Sequence, residues 1–182
     1  MHFRNRLVVS FRQLKRLGRS LKRPEQLTDY PLVSSEKLRF ADTDRNGHVS
    51  NAVFAVCCQN ARMELLSDAE RTPVPPEAQF VLGRLDLTFR REMHWPGTVQ
   101  VGTRVARVER CTVHLTQALF VGERCVAIAK STVVLINKDT RRPEPLSSEL
   151  AAHLTGFSGP RAGNNDLLLQ ARRAFATWPL RT

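Results

Sequence analysis

The sequence has no apolar run approaching the roughly 18 residues that a helical membrane span needs, which excludes a helix crossing a bilayer. It has no secretory signal either: basic residues open the chain, but no uninterrupted apolar stretch follows them. Only four cysteines occur, Cys57, Cys58, Cys111 and Cys125. Their spacing fits no metal-ligand pattern, and the adjacent pair is poorly placed to bridge with itself. They read as small buried thiols of a reducing compartment. Acid is scarce as well: 17 Asp and Glu face 28 Lys and Arg, a formal net charge of +11.

Where that charge lies decides its meaning. Residues 1–30 hold +6, residues 156–182 hold +3, and the middle only +2. A nucleic-acid binder carries its basic stripe on the folded domain, interleaved with aromatics or on a reading helix. Nucleic acid is therefore not expected as a partner. The remaining composition, 42% hydrophobic over 182 residues, suits a single core. The expected organisation is a basic amphipathic segment over 1–30, one folded soluble domain over 31–155 and a basic tail over 156–182.

Within the first segment Phe3, Leu7, Leu14, Leu17 and Leu21 form an apolar stripe among Arg4, Arg6, Arg12, Lys15, Arg16, Arg19, Lys22 and Arg23, until Pro24 ends the run. Three uses stay open for this basic helix: packing on protein, peripheral contact with an anionic membrane through residues 3–23, and organellar targeting. The expected location is cytoplasmic, with those two alternatives beside it.

The middle reads as strand, helix, then four strands. Residues 33–41 alternate weakly. Residues 51–69 place Phe54, Cys57, Cys58, Ala61 and Leu65 on one helical stripe, and Pro73, Pro75 and Pro76 forbid continuation. Strands are expected over 79–91, 99–108, 111–121 and 124–136. Val99, Val101, Thr103 and Val105 alternate with polar or small neighbours, as do Val113, Leu115, Gln117 and Leu119. Trp95-Pro96-Gly97 turns the chain, and Gly122-Glu123 suits a two-residue hairpin. One long helix against an antiparallel sheet of about five strands is an α+β arrangement.

The chemistry concentrates in Asp42-Thr43-Asp44-Arg45-Asn46-Gly47-His48-Val49-Ser50, just ahead of the helix. Unpaired N–H groups and the positive end of the helix dipole favour negative charge there, including a developing oxyanion. Asp42, Asp44, Asn46 and Gly47 fall on calcium-loop positions, but the twelfth position is Val53 rather than a bidentate Glu, and Lys37-Leu38-Arg39-Phe40 alternates like a strand where an entering helix is required. No metal is expected. Asp42 reads as a cap or turn residue.

The run from Phe40 to Ala52, continuing through Ala61-Arg62-Met63-Glu64-Leu65-Leu66, resembles the 4-hydroxybenzoyl-CoA thioesterase type of the hotdog-fold superfamily. Asp44, Asn46 and His48 also resemble the Asp-x-Asn-x-His element of the plant and bacterial acyl-ACP thioesterases. The likeness covers about residues 33 to 150 and departs at Ser50, where an asparagine is frequent. It implies a hotdog fold and a cofactor-free hydrolase of acyl-CoA or acyl-ACP. It further implies a homodimer or homotetramer that pairs sheet edges and places the sites at their interface. Asp44 is then nucleophile or general base, the Asn51 backbone N–H the oxyanion donor, and Asn46 and His48 the groups orienting water or the carboxylate. Arg90 and Arg91, with Arg104, Arg107 and Arg110 beside them, are candidates for the phosphates of coenzyme A or an acidic carrier. Glu64, well inside the helix, reads as an ion-pair partner of Arg62 or Arg71; His94 and His114 receive no role. The alternative is a hotdog domain that binds an acyl ligand or partner without turnover.

Overall fold

The computed structural model describes residues 24–69 and 72–159, so the expected N-terminal helix and most of the C-terminal tail lie outside the described residues. Its elements are β1 (Leu32–Lys37), α1 (Asn51–Leu66), β2 (Ala78–Phe89), β3 (Thr98–Val108), β4 (Thr112–Val121), β5 (Arg124–Asn137) and α2 (Ser148–Thr155). The strands form one antiparallel sheet in the order β1-β3-β4-β5-β2. Strands β3, β4 and β5 are sequential neighbours, whereas β1 and β2 occupy opposite edges. The chain between β1 and β2 must therefore cross the sheet, and α1 is part of that crossing.

The alternating residues of β3 and β4 point where their pattern requires. Val99, Val101, Thr103 and Val105, with Val113, Leu115, Gln117 and Leu119, are all buried. Against them α1 lays Phe54, Cys57, Cys58, Ala61 and Leu65. Each large apolar side chain so removed from water contributes about 1.5–3 kcal/mol. One polar chain runs through this core. The buried Arg62 donates from Nη1 to Gln117 Oε1 at 3.1 Å, and Gln117 Nε2 donates to the Cys58 carbonyl at 2.9 Å and to Thr103 Oγ1 at 3.1 Å. Burial pushes the Arg62 guanidinium below its ordinary range. Arg62 thus turns into the core instead of toward Glu64, whose carboxylate accepts the Ser34 hydroxyl at 2.6 Å and ties α1 to β1. Arg71 lies outside the described residues.

Several boundaries differ from the sequence reading. The first strand stops at Lys37 because Phe40–Asp42 closes a short 3₁₀ turn, in which the Asp42 carboxylate accepts the Arg39 N–H at 2.7 Å and its guanidinium at 2.8 Å. A side chain that satisfies nearby backbone competes with extended structure. Helix α1 ends at Leu66, with the Ser67 N–H on the Met63 carbonyl. Helix α2 has no counterpart in the sequence reading. Ser147 Oγ caps it by accepting the Leu150 N–H at 3.1 Å, and Leu150 and Leu154, one turn apart, pack with Leu65, Val105, Leu115 and Leu135 to close the core beyond the end of α1.

The outer face of the sheet is covered near β3 by Tyr30, edge-on to Phe120 at 6.2 Å. Gly102 permits this: a Cβ there would lie 2.5 Å from the Tyr30 ring. Burial, then the Glu25 carboxylate that accepts its hydroxyl at 2.7 Å, holds the Tyr30 phenol well above its ordinary range. Burial also pushes the Cys57 and Cys58 thiols up to about 11 and about 12. Cys111 and Cys125 are only half-buried, so the reading of four buried thiols fits the first pair alone. Among the described residues no helix is long and apolar enough to cross a membrane.

Candidate active site

The segment from Thr43 to Ser50 is a tied loop. The Asp44 N–H donates to the His48 carbonyl at 2.8 Å and the Gly47 N–H to the Asp44 carbonyl at 3.0 Å, a turn that holds residue 47 at φ +80°, where glycine is favoured. Inside it, Asp44 Oδ1 accepts the N–H of Asn46 at 2.8 Å and of His48 at 3.3 Å. Both flanks are anchored. The Val49 N–H donates to the Met93 carbonyl and the Ser50 N–H to the Asp42 carbonyl, each at 2.9 Å. Asp42 itself is a structural carboxylate: it is buried, and the side-chain and backbone donors of Arg39 hold it below the usual carboxylate range.

Helix α1 leaves this loop without a side-chain cap. Ser50 occupies the cap position, yet its hydroxyl makes no capping hydrogen bond. The first N–H groups of a helix have no carbonyl within the helix to reach, so at Asn51 the donors remain for another partner.

They open on a cleft of about 1130 Å³. Three stretches line it: Asp44, His48 and Asn51 at the loop and helix start; Phe89 through His94 at the end of β2 and just beyond it; and Val121, Gly122 and Arg124 at the β4–β5 hairpin. Phe54 and Phe89, edge to face at 5.1 Å, supply part of its apolar wall. A second cavity of about 520 Å³, between the end of α1 and β2, contains none of Asp44, Asn46, His48 and Asn51.

Of the residues singled out in the sequence, Asp44, His48, Asn51, Arg90 and Arg91 all reach the cleft. Asn46 does not line it; its backbone N–H holds the Asp44 carboxylate instead. Arg104 lies over the Tyr30 ring, 5.2 Å from its centroid, and Arg107 pairs with Glu109 at 2.7 Å, so neither belongs to the site, and Arg110 does not line it. The sequence reading missed three ionisable lining residues, Arg124, Glu92 and His94. His94, given no role, stands edge to face with His48 at 5.0 Å between ring centroids. The legible signal was the sequence Glu92-Met93-His94, a polar–apolar–polar triplet whose middle residue is in the core.

A five-stranded antiparallel sheet wrapped about a long helix defines the class: a hotdog fold. Solved structures share it. A predicted thioesterase from Bacillus stearothermophilus is 23% identical, with a TM-score of 0.64 over 71% of this chain and 98% of its own. A thioesterase from Thermus thermophilus, complexed with coenzyme A and Zn, is 23% identical, with a TM-score of 0.62 over 73% of this chain and 98% of its own. A probable thioesterase from Escherichia coli is 21% identical, with a TM-score of 0.61 over 69% of this chain and 98% of its own. No curated protein sequence matches. The family model of the thioesterase-like superfamily matches residues 38–154, well over half of the chain. The chain belongs to that superfamily, and it is a thioester hydrolase by class.

Proposed function

We propose that the chain hydrolyses an acyl-CoA to the free acid and coenzyme A at the cleft beside α1. The observation that carries this is the meeting, in one cleft, of an uncapped helix start at Asn51 with the Asp44 carboxylate and the His48 imidazole. The thioester carbonyl oxygen accepts the Asn51 N–H, whose donation strengthens as the oxygen becomes an oxyanion. Asp44 either attacks the carbonyl carbon or takes a proton from the attacking water, which His48 orients. The C–S bond then breaks, and the thiolate leaves and takes up a proton. A thiolate is a much weaker base than an alkoxide or an amide anion, so it departs without a strong acid beside it. If Asp44 attacks, loss of the thiolate leaves an acyl-aspartyl anhydride, which water hydrolyses at the Asp44 carboxyl carbon; a single turnover in ¹⁸O-water then puts the label in Asp44 and unlabelled oxygen in the first acid released, whereas base catalysis labels the acid at once and leaves Asp44 unlabelled.

Arg90, Arg91 and Arg124 suit the phosphates of coenzyme A. The Thermus thermophilus thioesterase with bound coenzyme A supports that carrier; an acidic acyl carrier protein would meet the same arginines. Free-thiol release across an acyl-CoA series tests the activity. A phosphate-free acyl thioester of N-acetylcysteamine tests the arginines. If alanine at Arg90, Arg91 and Arg124 raises KM equally for both substrates, the phosphate role falls.

The exposed sheet edges support a proposed assembly. Strand β2 is 12 residues long and ends the sheet with Leu82 and Phe89 about half exposed. A second copy pairing there makes a homodimer, or a homotetramer as a dimer of dimers. Light scattering that finds an active monomer would overturn this. The protein is proposed to be cytoplasmic, with residues 3–23 touching anionic membrane; vesicle co-sedimentation that survives deletion of residues 1–24 would refute the contact.

A further inference from the structure

We propose that Glu92 and His94, together with His48, form a binding site for one divalent transition-metal ion of the zinc type. The three side chains come from two segments joined by one backbone hydrogen bond. Val49, which follows His48, donates its N–H to the carbonyl of Met93, which lies between Glu92 and His94, at 2.9 Å. Met93 is 1% exposed and packs in the core, so it holds the segment while its two neighbours reach the cleft.

The donor atoms converge. His48 Nε2 lies 3.5 Å from Glu92 Oε2, and His94 Nε2 lies 3.9 Å from the same oxygen. All three donor atoms fall within 4.8 Å of one another. Tetrahedral zinc, with bonds of about 2.0–2.1 Å, places neighbouring donors roughly 3.3 Å apart. Closing the set thus moves side-chain ends by about 1 Å on that geometry, and the Glu92 and His94 side chains, 65% and 59% exposed, are free to make the movement.

The chemistry of the set selects its ion. Two imidazoles and a carboxylate match zinc, cobalt, nickel or copper; magnesium and calcium demand more oxygen donors than are gathered here. Three protein donors leave a fourth position open, the arrangement in which zinc keeps a water. Arg90, Arg91 and Arg124 in the same cleft oppose a cation, so affinity here depends on the Glu92 charge and the imidazole bonds.

Metal binding is read without any thioester, so its failure and the failure of the hydrolase reading are separate results. The test is a titration of the full chain, stripped with chelator, with cobalt(II) chloride followed by displacement with zinc(II). The expected result is one equivalent of cobalt per chain with the strong visible absorption of four-coordinate cobalt, lost on adding zinc. Glu92→Gln and His94→Gln should each weaken binding by more than about tenfold, since loss of even an outer-sphere partner does that much. His153→Gln, at an exposed position of α2, should leave it unchanged. Unchanged thermal melting of the three variants secures their fold. The proposal is overturned if the wild type binds no cobalt at micromolar concentration, if His94→Gln binds it equally well, or if an intense sulfur-to-cobalt band assigns the ion to cysteine.

Discussion

Among the described residues the two α-helices each have a serine at the cap position, and the two serines behave differently. At α2 the Ser147 hydroxyl accepts the Leu150 N–H, and the helix seals one end of the core with Leu150 and Leu154. At α1 the Ser50 hydroxyl caps nothing, and the helix start faces a cleft shared with Asp44 and His48. One helix satisfies an orphan N–H with its own serine; the other has no side-chain cap and starts at the cleft. The proposed oxyanion site rests on that difference.

The largest expected effect attacks the uncommitted donor. Asn51→Pro removes one N–H at the first helical position, which proline tolerates, and Ser50 at φ −55° and ψ 141° already has the extended conformation that proline demands of the residue before it. Turnover should fall by about 10²–10³ with helix content unchanged by circular dichroism. Wild-type turnover would remove α1 from the mechanism.

Next in size is Asp44→Asn, which keeps an oxygen to accept the loop N–H groups but loses the charge. A fall in kcat of at least about a hundredfold is expected, with little change in KM. A variant that retains most of its rate while Glu64→Gln is inactive would move the chemistry to the helix.

The serines themselves give a smaller, crossed result. Ser147→Ala should lower stability in urea by about 1 kcal/mol and leave turnover alone, whereas Ser50→Ala, which removes no cap bond, should barely change stability. Equal losses in the two variants would break the comparison.

The smallest effect concerns acid. The side-chain hydrogen bond from Arg39, then its backbone N–H, lowers the Asp42 pKa in the folded state. That stabilisation is complete above the unfolded value of about 4 and is lost as pH falls through the depressed folded value. Asp42→Asn should therefore flatten the acid side of the stability profile. The change is modest because the Arg39 side chain is 77% exposed and water screens the pair.

Much of this was legible along the chain. The stripe of Phe54, Cys57, Cys58, Ala61 and Leu65, and the alternation of Val99 through Val105 and Val113 through Leu119, are local periodicities, and burial follows them. Helix α2 is hard to read because eight residues carry few apolar positions that reach the core, although Ser147 is a readable start. Arg62 is hidden for another reason: a charged residue in a helix reads as solvent-facing, and only Gln117, on β4, draws it inward.

By itself, the sequence determined the five strands, α1 and the chemical group, a polar loop bearing Asp44 and His48 ahead of a helix, because turn chemistry and side-chain period are recorded between near neighbours. The tertiary structure alone decided what stands beside that group. Strand order sends β2 to the far edge, the Val49–Met93 hydrogen bond brings Glu92 and His94 to His48, and the β4–β5 hairpin adds Arg124. Contacts between residues so distant along the chain depend on how the sheet closes around α1, and no local pattern records that.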